Sequence, residues 1–382
     1  MNCKLFLASA LLALTANLAS SGDIICYFTT WTIYRPGNGK FTAADIPADI
    51  CTHVMYSFVG ANSDGTIRVL DDWEMNGLGE LKAFVQKRNE NSNLKLILSM
   101  GGWNEGSEKY STIAANPTYR RNLIGSVINF LETNNFNGFD LDWEYPTQRG
   151  GRPEDLDNYI TLLKELKQAL QPRGFILSAA VSGGEERASH DYKIKELSDT
   201  VDFISVMTFD FHGTWETYVG HNAPLHPSSL DTGNNTGLNV VSGLNYWLKQ
   251  GADPKKIRMA VPTYGRGFTL KDPSDTKLYA PTLGGSRQAP YTRQDGVVGY
   301  NEICELYKDY EYFWDEEQQV PHIVKGDQWI GFDNPRSMEQ KIIFANSKGV
   351  GGVMVWSLDT DDFKGICGKR YPLLSTIKKT LN

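Results

Sequence analysis

Residues 137–146 read Asn-Gly-Phe-Asp-Leu-Asp-Trp-Glu-Tyr-Pro, and their alternation decides the fold. Side chains along a strand point to opposite faces in turn. Asp140, Asp142 and Glu144 therefore share one face, with neighbours about 6.5–7 Å apart. Phe139, Leu141 and Trp143 share the other. An exposed amphipathic strand would show the same alternation with its acids in water, so the surroundings must choose. Further short apolar or β-branched runs occur at Ile24–Phe28, His53–Phe58, Lys95–Ser99, Phe175–Ala180, Val201–Met207, Ile257–Pro262 and Val350–Trp356. With Gly138–Glu144 they make eight, and the others carry no polar outer face. Several intervals have helical periodicity, most clearly Leu156, Tyr159, Ile160, Leu163, Leu166 and Leu170, with Pro153 and Glu154 suited to the first turn. Eight near-continuous apolar strands separated by helices predict an α/β fold, a (β/α)8 TIM barrel. A doubly wound open sheet is the alternative, but neither G-x-G-x-x-G after a strand nor G-x-x-x-x-G-K-[ST] occurs.

In a barrel the apolar face of residues 137–146 meets the helices, so the acidic face lies inside. Ionised carboxylates are costly there, because burial and like charge each favour the protonated form. At least one is expected to hold a proton at neutral pH. Glu144 is last, nearest the C-terminal end where barrel enzymes do their chemistry, which suits it to be a general acid.

From Pro262 to Val350 lie 87 residues, more than one helix and its loops need. The stretch holds a helix-like run (Asn301–Tyr310) and strand-like pieces (Tyr312–Trp314, Val320–Val324, Trp329–Phe332). A small α+β subdomain over residues 266–334, inserted after the seventh strand, is expected, with Trp314 and Trp329 in its core. Insertions at that end of a barrel can wall a cleft.

The 382-residue chain is 41% hydrophobic and 22% charged, which excludes disorder, collagen and coiled coil for the whole. With 38 Lys plus Arg against 45 Asp plus Glu it lacks the basic excess of a nucleic-acid binder. Aromatics make up 12% and suit stacking against a flat apolar ligand face. Lys4, the apolar run Leu5–Leu14 and small residues at 19–22 form the basic, apolar, small order of a cleaved secretory leader over residues 1–21. The mature residues 22–382 are read as secreted and extracellular, with no later membrane segment. Cys3 leaves with the leader. Cys26, Cys51, Cys304 and Cys367 remain, and three pairings are open. Cys26–Cys51 with Cys304–Cys367 is favoured, because Cys26 and Cys51 begin or precede neighbouring strands. No metal-ligand spacing is present, and no metal or cofactor is expected. Asn234-Asn235-Thr236 is a glycosylation acceptor in a Gly/Asn-rich stretch.

Residues 137–146 resemble the Asp-x-x-Asp-x-Asp-x-Glu signature of glycoside hydrolase family 18, the chitinases. Lys95–Trp103 (KLILSMGGW) is similar to the family's third-strand motif, and Met207–Trp215 (MTFDFHGTW) to its sixth. Val261–Phe268 (VPTYGRGF) and Gly351–Asp359 (GGVMVWSLD) are similar to its seventh and eighth. The insertion and the four cysteines resemble the animal-type members. The resemblance implies hydrolysis of chitin or chitooligosaccharides in which the substrate's own N-acetyl oxygen attacks the anomeric carbon. Glu144 would be acid and then base. Asp142 would hold the acetamido N–H, and Asp140 would share proton or charge with Asp142. Trp356 would floor the sugar, with Tyr27, Phe58, Gly102, Trp103, Tyr145 and Trp215 along the cleft and Trp31 at a distal subsite. Met207, Asp210, Tyr264 and Arg266 match family binding positions. A monomer without nucleic-acid or membrane partner is expected.

Two positions depart from the pattern. Asn137 replaces the first Asp and is expected to support the acids from below. Phe209 stands where the sixth-strand motif usually has Tyr, losing one hydroxyl that helps hold the acetamido group. A chitin- or glycan-binding lectin with little turnover and an endo-N-acetylglucosaminidase are the competing readings. Intact Glu144 argues against the first, and the insertion and aromatic cleft against the second.

Overall fold

A computed structural model describes residues 22–382. The leader expected over residues 1–21, with Cys3 and Lys4, lies outside the described residues. Eight strands run parallel: β1 (Asp23–Thr29), β2 (His53–Ala61), β3 (Lys95–Gly101), β4 (Gly138–Asp142), β5 (Ile176–Ser182), β6 (Phe203–Met207), β7 (Ile257–Pro262) and β8 (Gly352–Trp356). Each pairs with the next, and β8 pairs with β1, so the sheet closes into a (β/α)8 barrel. A short strand, Ile67–Val69, runs antiparallel to the end of β2.

Closure creates two cores. Outward side chains pack under the helices: Phe139, Leu141 and Trp143 are buried with Leu163, Leu166 and Leu170 of the helix Asp155–Leu170. Each leucine so buried contributes about 1.5–3 kcal/mol. That helix begins after Pro153 and Glu154, which form the turn ahead of it; Glu154 occupies the N-cap position without a side-chain capping hydrogen bond. Inward side chains form a smaller core of Ile25, Tyr27, Met55, Ile97, Phe203, Ala260 and Met354.

β4 ends at Asp142, two residues short of the expected Glu144. There β3 lies close against it, Gly101 being the last register partner of Asp142. A Cβ on Gly101, which has φ +119°, would stand 2.1 Å from the Asp142 carbonyl oxygen. The Gly102 N–H donates to that same oxygen at 2.8 Å. Glu144 is thereby carried beyond the ladder, to the C-terminal mouth of the barrel.

Between β7 and β8 the chain builds an antiparallel sheet. Its path runs Thr282–Gly285, Tyr264–Leu270, Gln328–Gly331, Val320–Lys325, Glu311–Asp315, with Val297–Gly299 added to Tyr264–Leu270. The helix Tyr300–Leu306 lies among these strands, and a second, Pro335–Lys348, leads back to β8. The first is the expected Asn301–Tyr310 run. It stops short of the expected Tyr310, and Tyr307 and Tyr310 pack edge to face beyond its end. Trp329 is buried. Trp314 is only half-buried, with the Arg336 guanidinium 3.8 Å above its ring. Disulfides join Cys26 to Cys51 and Cys304 to Cys367; the first links β1 to the segment just before β2, and the second ties the helix Tyr300–Leu306 to the turn after β8. Among the described residues no helix is long and apolar enough to cross a membrane.

Candidate active site

The parallel register sets Asp140 of β4 opposite Ser99 of β3 and Ser178 of β5. Both hydroxyls donate to its carboxylate at 2.7 Å. Tyr27, on the non-adjacent β1, donates from across the lumen at 2.7 Å. All four groups are buried. Burial raises the Asp140 pKa, and the three donors oppose it, because hydrogen bonds to a carboxylate favour its charged form.

Asp142 has no such support. It is 3% exposed, and its Oδ1 has no hydrogen-bond partner among the described residues. Burial pushes its pKa well above the carboxylate range, and the charges of Glu144 and Asp140 push it further. Glu144 is raised to about 7, first by burial and also by Asp210, while Tyr145, Arg149 and Arg187 pull it back. A carboxyl that is half protonated near neutrality at the barrel mouth can give and take a proton.

An aromatic floor lies beside these acids. The Trp356 ring is 5.3 Å from Tyr27 and stacks on Phe58 at 5.8 Å. Trp31 stacks on Phe58 at 6.2 Å and lies 6.4 Å from Trp356. Trp31 thus extends the aromatic surface from Phe58 and Trp356. The first loop that carries it folds as a short helix (Thr30–Tyr34), and the Arg35–Asp359 ion pair pins its end to the chain after β8. Gly102 is buried with φ +82°; a Cβ there would strike the Phe58 ring at 2.6 Å. Tyr27 does not line the mouth. It sits inside β1, 1% exposed, serving Asp140.

On the opposite side Asp210 accepts from the Tyr264 hydroxyl at 2.6 Å and from Arg266 Nε at 2.8 Å. Its positive φ of 55° is held by Asn222, whose side-chain oxygen takes the Asp210 N–H at 2.9 Å. The Arg266 guanidinium lies 5.2 Å from the exposed ring of Trp215. Met207 closes the end of β6, half-buried against both cores. Phe209 meets Tyr264 edge-on at 6.2 Å. Trp103, 54% exposed, and Tyr145, 8% exposed, complete the wall.

Asn137 does not support the acids. By strand parity it falls on the outward face with Phe139 and Leu141. Its side-chain oxygen accepts from Arg88 at 2.5 Å and from the Leu96 N–H at 2.9 Å, far down at the start of β4. Sequence reasoning gave no role to Ser99, Ser178, Asn222, Arg149 and Arg187. Ser99 did carry a signal, as the one hydroxyl in β3, whereas Ser178 shares β5 with Ser182. Among the described residues, one group of side chains lies close enough to share an ion, Cys304, Asp362 and Cys367, and both its sulfurs are engaged in the disulfide. Asn234 is exposed and hydrogen-bonded to Glu186 at 3.1 Å.

Comparison with known proteins places this geometry. Residues 23–361 match the pattern of Glycosyl hydrolases family 18. "Probable chitinase 10" of Drosophila melanogaster is 38% identical over 375 residues, 95% of this chain; the chain spans 16% of that protein's length. The Group IV chitinase of Ostrinia furnacalis, solved with allosamidin, is 41% identical with a TM-score of 0.92, over 94% of this chain and 98% of that one. Human YKL-39, described as a pseudo-chitinase with retained chitooligosaccharide binding properties, is 34% identical with a TM-score of 0.88, over 94% and 99%. The chain belongs to glycosyl hydrolase family 18.

Proposed function

We propose that the protein is a secreted chitinase that hydrolyses β-1,4 linkages between N-acetylglucosamine units with retention of anomeric configuration. The observation that carries this reading is Glu144: a carboxyl present at the end of the acidic strand, at the barrel mouth, with its pKa raised to about 7. In the proposed first step the acetamido oxygen of the substrate attacks C1. The C1–O glycosidic bond breaks, and the Glu144 proton goes to the leaving oxygen. In the second, water attacks C1 of the oxazolinium ion and gives its proton to Glu144, while the bond from C1 to the acetamido oxygen breaks and the acetamide is restored. The unpartnered Asp142 Oδ1 would accept the acetamido N–H, and Asp140, fixed by three hydroxyls, would hold negative charge beneath it. Trp356 would floor the sugar.

The disulfides support an oxidising compartment, and the exposed Asn234 is accessible to glycosylation. We read residues 266–334 as an insertion subdomain that contributes Arg266 to the cleft. A binding-only role is the second reading. Phe209 favours it, because no tyrosine hydroxyl stands there to help hold the acetamido group.

The test is turnover of chitooligosaccharides by the purified protein, following product length and anomer. β-Anomeric products from the full chain, lost by 10²–10⁴-fold in Glu144→Gln with binding kept, are expected. Binding without turnover in the unaltered chain would leave the lectin reading. Turnover unchanged by Glu144→Gln would remove the acid from its role.

A further inference from the structure

Two guanidinium groups converge on Glu144-Tyr145. Arg149 follows β4 in a left-handed backbone conformation, φ 52°. Its Nη1 donates to the Glu144 carbonyl oxygen at 2.9 Å. Its guanidinium carbon lies 3.5 Å from the centre of the Trp103 ring, so one side chain joins the loop after β3 to the loop after β4. Arg187 comes from the helix Glu185–Asp191 after β5. Its guanidinium lies 4.6 Å over the Tyr145 ring. A planar cation on an aromatic face gains both electrostatic and stacking energy, which an ammonium group cannot match.

Resting on the hydrolytic reading above, we propose that Arg149 and Arg187 are positioning residues for the Glu144 carboxyl: Arg149 locks Trp103 to the Glu144 backbone, Arg187 locks Tyr145, and together they flank the acid with positive charge.

The groups that face Glu144 are few. Asp142 and Asp140 lie below it on β4. Asp210 approaches from the segment after β6, already engaged by Arg266 and Tyr264. Tyr145 is its neighbour in the chain. Of the charged groups around it, Arg149 and Arg187 favour the ionised carboxylate, and Asp210 opposes them. Removing a guanidinium therefore makes Glu144 hold its proton to higher pH. In the rate profile this moves the alkaline limb of kcat, where the general acid is lost, upward.

The experiment measures kcat and KM against pH for the full chain and for Arg149→Gln, Arg149→Lys and Arg187→Gln. Arg149→Gln should raise the alkaline limb by about half a pH unit or more and raise KM as Trp103 loses its brace. Arg149→Lys should restore the limb, through its charge, but leave KM raised. Arg187→Gln should move the limb in the same direction. Arg149 is exposed, and equal melting temperatures would show that the variants fold. Limbs that coincide with the parent's in both glutamine variants would overturn the proposal. The Glu144 carboxyl can also be titrated without turnover, as the infrared difference between each chain and its Glu144→Gln counterpart. A parent that turns nothing over but shows the shifted carboxyl would sink the hydrolytic reading and keep this one.

Discussion

The barrel lumen and the antiparallel sheet after β7 both bury titratable side chains, with opposite consequences for pH. At the mouth side of the lumen the groups are carboxyls, while His53 at the foot of β2 is pushed down to about 4 by burial, as an apolar ring against Phe203. Asp140 receives three hydroxyl donors, and Glu144 is raised to about 7. In the sheet they are imidazoles. His322 lies between Phe313 and Trp329, 5.1 and 4.7 Å from their centroids, and His221 packs on Trp329 at 5.1 Å. Burial pushes His322 down to about 4 and His221 well below its ordinary range. Neither Nδ1 has a hydrogen-bond partner among the described residues. The sheet uses its histidines as flat apolar rings. The lumen keeps carboxyls that can still change charge.

The largest test of this contrast is Glu144→Gln, read as stability. The folded pKa of Glu144, about 7, lies above its unfolded value of 4.5. Its contribution is whole below pH 4.5 and is lost as pH rises through 7. The glutamine variant should exceed the parent by about 2–3 kcal/mol at pH 8 and by nothing at pH 4, in denaturant unfolding. A gain equal at both pH values would break the contrast on the lumen side. Next is Ser178→Ala, which leaves Asp140 one donor short and should cost about 1.5–3 kcal/mol at pH 7. A neutral result would mean that Tyr27 and Ser99 suffice. The smallest is His322→Phe, which keeps the stacked ring. The folded pKa of about 4 lies below the unfolded 6.5, so the parent's penalty is absent above 6.5 and grows as pH falls toward 4. The variant should gain about 1 kcal/mol at pH 5, discounted for partial exposure, and nothing at pH 8. A gain at pH 8 instead would point to packing and not to charge.

The barrel was legible because its strands are buried on both faces and read as largely apolar runs, and because residues 137–146 alone place three acids in alternation. Strand ends were less so. β4 stops at Asp142, where its pairing with Gly101 of β3 ends, and a ladder's end depends on the neighbouring strand, which no local pattern encodes. Asn137 was misplaced by spacing within a motif, although parity along the same strand sets it with Phe139 and Leu141. Tyr27 and Trp31 were assigned by proximity to a strand end; what each touches depends on closure of the sheet and on the Arg35–Asp359 pair. Arg149 and Arg187 lie in segments without periodicity, so their convergence on Glu144 appears only when the loops after β4 and β5 are set side by side. Phe209 was visible as a departure, and its ring now packs edge-on to Tyr264.

The bond between Cys304 and Cys367 bears on how the inserted sheet can move. The antiparallel sheet leaves the barrel at Tyr264 and returns before β8, and the disulfide fastens it again from the side. Three covalent moorings hold it, so the sheet cannot swing as a hinged flap and must ride with the barrel.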